Sequence, residues 1–162
     1  MTKFNANAAI KAGLLAGIVF MMLEMALVAL MMGESPWAPP RMIAAIGLGD
    51  GVLPPPATFD LTIFLVAMAI HLVLAVILAL IFAAIVAKTR WSAGATALAG
   101  LAFGLVVYVV NFYVMTSVFP WFAMARNGIS IFSHAMFGLV LGYAYHRLAP
   151  AVVTTEPAEV IK

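Results

Sequence analysis

The chain has 162 residues, of which 66% are hydrophobic and only 9% are charged, and its mean hydropathy is +1.16. A soluble domain carries about a quarter charged residues, so this composition excludes a water-soluble globular protein and indicates an integral membrane protein. The formal charge of +2 comes from scattered basic residues that form no patch, which argues against a nucleic-acid partner. The absence of cysteine excludes disulfides and thiolate-ligated metal centres.

The first apolar stretch, residues 11–32, contains FMMLEMALVALMM, in which one carboxylate, Glu24, stands among apolar side chains. A hydrocarbon core about 30 Å thick needs roughly 20 apolar helical residues, so this stretch can span it. Basic residues precede it, as in a signal peptide, but the run is too long and no small-residue cleavage site follows. We therefore predict a retained helix. Its methionines are candidate Cu(I) ligands, but we interpret them as flexible core filling because they face several directions.

The loop at residues 33–60 opens with GESPWAPPR and closes with GDGVLPPPATFD. Between these segments, RMIAAIGL is too short to span a membrane. We predict a short interfacial or re-entrant helix here, entered through Pro39 and Pro40 and ended at Gly47 and Gly49. Asp60 is expected to cap the helix that follows.

Three further apolar stretches follow, at about 61–87, 92–118 and 129–147. The expected fold is therefore an all-α membrane protein, a four-transmembrane-helix bundle that forms a single domain over residues 1–148. Residues 149–162 lack a helical stripe and are predicted to form a flexible cytoplasmic tail.

The distribution of basic residues predicts the orientation. Only Arg41 and Arg126 lie on one side of a four-span arrangement, and the remaining basic residues lie on the other side. The positive-inside rule then places both termini in the cytoplasm of a multi-pass protein in the bacterial inner membrane.

Residues 12–25, AGLLAGIVFMMLEM, align with residues 99–112, AGLAFGLVVYVVNF, so that Glu24 falls opposite Asn111. Each segment is followed by a Pro-Trp pair, an arginine, and a helix that carries one intramembrane histidine with small residues four and eight positions later. Apolar helices also align by chance. We nevertheless predict a tandem duplication of a two-helix hairpin, with repeat units at about 11–87 and 92–148.

The intramembrane polar residues share helix faces with small residues, which mark close helix–helix approach. We expect Glu24, His71, Asn111 and His134 to converge on an outward-opening polar pocket, in which Glu24 pairs with one of the histidines. Alternatively, these side chains form a network that only holds the helices together. The residues in the loops above them are further binding candidates: the arginines for an anionic group and the tryptophans as interfacial anchors. They are Trp37, Arg41, Trp121 and Arg126.

No nucleotide-binding or hydrolase motif occurs, so we assign no catalytic residue and no metal site. The segments SPWAPPRMIAAIGLG, VLPPPATFD and NFYVMTSVFPWFAMARN resemble those of short, four-span bacterial inner-membrane proteins of unknown function. Relatives of that kind sometimes carry a sodium:solute symporter label, although symporters of that class are much longer and have many more helices. The resemblance implies the four-span fold and brings no catalytic assignment.

Three hypotheses about function follow. The first is a small membrane scaffold or accessory subunit, in which the buried Glu/His/Asn network serves assembly. The second is a proton- or ion-coupled small transporter or channel, with Glu24 and a histidine carrying the proton. The third is a redox module in which His71 and His134 ligate a haem b or border a quinone. The expected partners are the lipid bilayer and either further copies of the chain or a larger membrane complex.

Overall fold

The computed structural model describes residues 4–149, and over this part of the chain it contains helices and turns but no strand. Four of the helices are long and apolar enough to cross a membrane, which confirms the predicted all-α, four-span fold. The helices are α1 (Ala6–Leu27), α2 (Ala38–Leu48), α3 (Leu61–Val86), α4 (Ala93–Val109) and α5 (Gly128–Leu148). Of the predicted tail, Ala149 still packs in the core, and residues 150–162 lie outside the described part.

Short helical turns of other types extend two of the spans. A π-helical turn, Val28–Met32, continues α1, and a second, Val110–Val114, continues α4. The turns Met115–Ser117 and Pro120–Ala125 are 3-10 helices that lead from α4 towards α5. We call the second of these the 120–125 turn.

Local chemistry sets where the helices begin and end. As predicted, Asp60 caps α3: its Oδ1 accepts a hydrogen bond of 2.9 Å from the backbone N–H of Ile63. The short helix predicted in the first long loop is α2. It starts with prolines in its first turn and ends at Gly49, whose φ of 84° a residue with a side chain rarely adopts.

The spans pack in the spatial order α3, α1, α5, α4, so that α1 and α5 form the centre of the bundle. Glycines bring α4 and α5 closest together. A Cβ atom on Gly104 would overlap the carbonyl oxygen of His134, and one on Gly138 would overlap that of Gly100. Helix α1 approaches α3 in the same manner, since a Cβ on Gly13 would lie 2.7 Å from the Ala79 methyl. The small residues therefore act as the sequence predicts for close packing.

One end of the bundle carries the start of α1 and the last turn of α5, and we call it the termini end. It is tightly packed. Phe82 and Tyr145 are each 1% exposed, and the Phe82 ring lies 5.4 Å from that of Phe103. This contact joins α3 to α4. The Tyr145 hydroxyl accepts a hydrogen bond from the backbone N–H of Asn5. The opposite end, the loop end, carries α2 and the 120–125 turn, and there a cleft separates α3 from α4.

Candidate functional site

A cavity of about 330 Å³ occupies the cleft between α3 and α4 at the loop end. Helices α1 and α5 form its floor, and α2 and the 120–125 turn cover it. Most of its wall is apolar. Representative lining residues, one from each element, are Phe20, Met42, Leu78, Val107, Phe122 and Phe137.

The mouth of this cavity lies between two spans. Leu74 of α3 and Val110 after α4 both line the cavity, yet they are 44% and 41% exposed. The cavity therefore reaches the outer surface of the bundle between these two side chains. That surface is apolar along most of its length, which is typical of a lipid-facing surface. The mouth therefore faces sideways from the bundle, on this apolar surface.

The polar groups of the wall come from four side chains, Glu24, His71, Asn111 and His134. The structure brings these four predicted residues together at one cavity. The predicted outward-opening polar pocket is wrong in two respects. The cavity is an apolar cleft with a small polar cluster, and it opens between α3 and α4 while α2 and the 120–125 turn cover its loop end. The sequence shows the reason, because the positions around each of the four polar residues are occupied mostly by apolar side chains.

Glu24 is the acidic residue of this cluster. It is 7% exposed, and its Oε1 accepts a hydrogen bond of 2.8 Å from the hydroxyl of Ser130 on α5. Its second oxygen, Oε2, is buried and has no hydrogen-bond partner among the described residues. The predicted pairing of Glu24 with a histidine is therefore wrong. Sequence reasoning missed Ser130, although it precedes His134 by four residues and so lies on the same face of α5.

His134 is held in one tautomer by its two neighbours. Its Nδ1 lies 2.7 Å from the carbonyl oxygen of Ser130, which can only accept, so Nδ1 carries the proton. Nε2 of the neutral ring then accepts from the amide nitrogen of Asn111, at 3.3 Å. Asn111 and His134 therefore connect α4 to α5 by a hydrogen bond with defined donor and acceptor.

His71 connects α3 to α1. Its Nε2 donates to the carbonyl oxygen of Gly17 at 2.9 Å, which leaves Nδ1 without a partner among the described residues. The Phe20 ring stacks on His71 at 5.3 Å between centroids and meets His134 edge-on at 4.8 Å. The phenyl ring therefore contacts both imidazoles.

The two loop arginines do not line the cavity but brace the loops around it. Arg41 donates to the carbonyl oxygens of Thr58 and Val52, at 2.9 and 3.1 Å. Arg126 donates to the carbonyl oxygen of Phe112 at 2.6 Å, and its guanidinium lies 4.6 Å from the centre of the Tyr113 ring. Part of their hydrogen-bonding capacity is thus used within the protein.

The two loop tryptophans likewise lie outside the cavity wall. The Trp121 indole N–H donates to the carbonyl oxygen of Met42 at 3.0 Å and so ties the 120–125 turn to α2. Trp37 packs on Phe59, with ring centroids 4.7 Å apart. Both residues hold the cover of the cavity in place.

Comparisons with protein-family models, with curated proteins and with solved structures find no match to this chain.

Proposed function

We propose that this integral membrane protein is a small accessory protein that holds a lipophilic molecule in the cleft between α3 and α4. One observation carries this proposal: an apolar cavity with a mouth on the bundle surface is lined by Glu24, whose buried Oε2 has no hydrogen-bond partner among the described residues. A buried polar group without a partner costs free energy, and a bound ligand is the usual way to recover it. Apolar walls with a few polar groups are typical of small-molecule sites.

The accessory role also agrees with the scaffold hypothesis drawn from the sequence. Each polar side chain of the cluster bridges two spans: Glu24 joins α1 to α5, Asn111 joins α4 to α5, and His71 joins α3 to α1. These bonds support a network that fixes the relative positions of the spans around the cleft. In this proposal the same groups hold the bundle together and form the polar part of the site.

Proton- or ion-coupled transport is the second candidate. The position of Glu24 at an accessible cavity favours it. However, the packing of Phe82, Phe103 and Tyr145 fills the termini end, so transport would require a second conformation in which these side chains separate. Binding requires no such change and is therefore the better-supported function.

The redox hypothesis has less support. Iron ligation by both imidazoles would require His134 to give up a hydrogen bond and Phe20 to leave its position against both rings. We therefore propose no haem. A Soret band in the absorption spectrum of the purified protein would contradict this statement.

We also propose that the chain arose by duplication of a two-helix hairpin. In both halves the glycines of the first span pack on the small residues of the second span at corresponding positions. Gly13 meets Ala79 as Gly100 meets Gly142, and Gly17 meets Ala75 as Gly104 meets Gly138. This pairing supports the repeat predicted from the sequence.

We also propose that the protein resides in the bacterial inner membrane with both termini in the cytoplasm. There it assembles with further copies of the chain or with a larger membrane complex.

Native mass spectrometry of the protein released from nanodiscs tests the binding function. Val110 lines the mouth, whereas its neighbour Val109 does not, and both are largely exposed. We expect a bound small molecule on the wild-type protein and on Val109→Trp, and its loss from Val110→Trp because the indole blocks the mouth. Ligand-free wild-type protein, or equal occupancy in both variants, would contradict the proposal.

A further inference from the structure

We propose that the molecule bound in the cleft is a lipophilic ammonium ion, with its N–H groups towards Glu24 and its hydrocarbon body against the apolar wall. This inference rests on the proposed binding function and assigns the chemical class of the ligand. Charge, hydrogen-bond polarity and the aromatic character of the wall each support it.

The first argument is charge. Among the described residues that line the cavity, Glu24 is an acid, and none is a lysine or an arginine. The nearby guanidinium of Arg126 is bonded to the Phe112 carbonyl oxygen and to the Thr116 hydroxyl, and it lies outside the lining. A buried carboxylate is stabilised by a counter-charge, which the wall of this cavity does not supply. A cationic ligand would supply it.

The second argument is hydrogen-bond polarity. The His71 donor is used on Gly17, so its remaining nitrogen, Nδ1, is an acceptor. The Asn111 amide nitrogen donates one N–H to His134, which leaves the carbonyl oxygen of Asn111 as an acceptor and its second N–H as a donor. With Glu24 Oε2, the cavity-lining residues thus offer three acceptor atoms that have no hydrogen-bond partner among the described residues. These acceptors favour a ligand that donates, which an ammonium ion does and a quinone carbonyl does not.

The third argument is the wall. Five phenylalanines line it, and a cation is attracted to the face of an aromatic ring when it lies within about 6 Å. Phe20 already lies between the two imidazoles, directly beside the polar cluster. The phenylalanines that line the cavity are Phe20, Phe112, Phe119, Phe122 and Phe137.

Three compact probes of nearly equal shape separate these contributions: 1-adamantylammonium, 1-adamantanol and 1-methyladamantane. The first carries a charge and donors, the second carries a hydroxyl that both donates and accepts but no charge, and the third carries no polar group. Binding to the protein in nanodiscs is measured by equilibrium dialysis against empty nanodiscs, which subtracts partition into lipid. We expect the ammonium ion to bind about tenfold or more tightly than either neutral probe.

The variant Glu24→Gln keeps an oxygen that can accept from Ser130 and removes the charge, whereas Glu34→Gln removes an exposed carboxylate outside the cavity. We expect Glu24→Gln to lower ammonium affinity to that of the alcohol and Glu34→Gln to leave it unchanged. Neutral probes that bind as tightly as the ammonium ion would overturn this inference and leave the binding function intact. If none of the three probes binds the wild-type protein, both proposals fail. The comparison of the three probes is made on the wild-type protein, so it does not depend on whether a variant folds.

Discussion

Two serines on α5 provide a matched test of the polar cluster. Ser130 and Ser133 are both fully buried, with 0% exposure, and lie within one turn of each other. The Ser130 hydroxyl donates to Glu24, whereas the Ser133 hydroxyl has no partner among the described residues. Replacing either serine by alanine removes the same atom and makes the same change in helix propensity. The difference between the two variants therefore isolates the hydrogen bond.

The expected free energies follow from the partners. Hydrogen bonds between membrane helices contribute about 0.6 kcal/mol on average, and those to charged groups in soluble proteins about 1.5–3 kcal/mol. Ser130→Ala leaves both Glu24 oxygens without a partner, so we expect a loss of about 1–2 kcal/mol in the free energy of unfolding. Ser133→Ala removes a buried hydroxyl that is already unpaired, so we expect a gain of about 0.5–1 kcal/mol. The two variants should differ by roughly 2 kcal/mol.

Equilibrium unfolding in mixed micelles with increasing SDS, followed by far-ultraviolet circular dichroism, measures this difference. Equal effects of the two substitutions, or a larger loss in Ser133→Ala, would show that the Ser130–Glu24 hydrogen bond does not stabilise the bundle. The proposals about the ligand would then no longer be supported by a fixed position of Glu24 against α5.

Two further predictions concern packing and the cover of the cavity. Gly138→Ala should destabilise the bundle by about 1–2 kcal/mol in the same assay, because its Cβ would overlap the backbone of α4. A Cβ on Gly94 would meet only the Ser92 hydroxyl, at 4.0 Å, so Gly94→Ala should change stability by less than about 0.5 kcal/mol. Comparable stability of the two glycine variants would contradict the close packing. Trp121→Phe removes the indole hydrogen bond to α2 and should speed amide exchange in α2 about fivefold, while the exposed control Trp91→Phe should not. Unchanged exchange in Trp121→Phe would show that this bond does not hold α2.

The spans, the short helix α2 and the Asp60 cap could be predicted because each depends on local chemistry. Apolar length sets the spans, proline and glycine delimit α2, and a carboxylate at a helix start meets free backbone N–H groups. The faces of close contact were also predictable, since small residues such as Gly104 and Gly138 recur at helical spacing.

The site was only partly predictable, because its geometry depends on which spans are neighbours. The hairpin pattern does not reveal that α1 and α5 form the centre, and this arrangement is what places Ser130 rather than a histidine against Glu24. The cleft between α3 and α4 follows from the same packing. The bracing roles of Arg41 and Arg126 depend on backbone carbonyl groups, whose positions the sequence does not specify.

The two hydrogen bonds of His134 have a consequence for proton movement. A proton that arrived at Nε2 would turn this atom into a donor facing the donor NH₂ group of Asn111. The asparagine amide would then have to rotate by half a turn to present its oxygen instead. Uptake of one proton by His134 on α5 would therefore reorient the side chain of Asn111, which lies on the π-helical turn that continues α4.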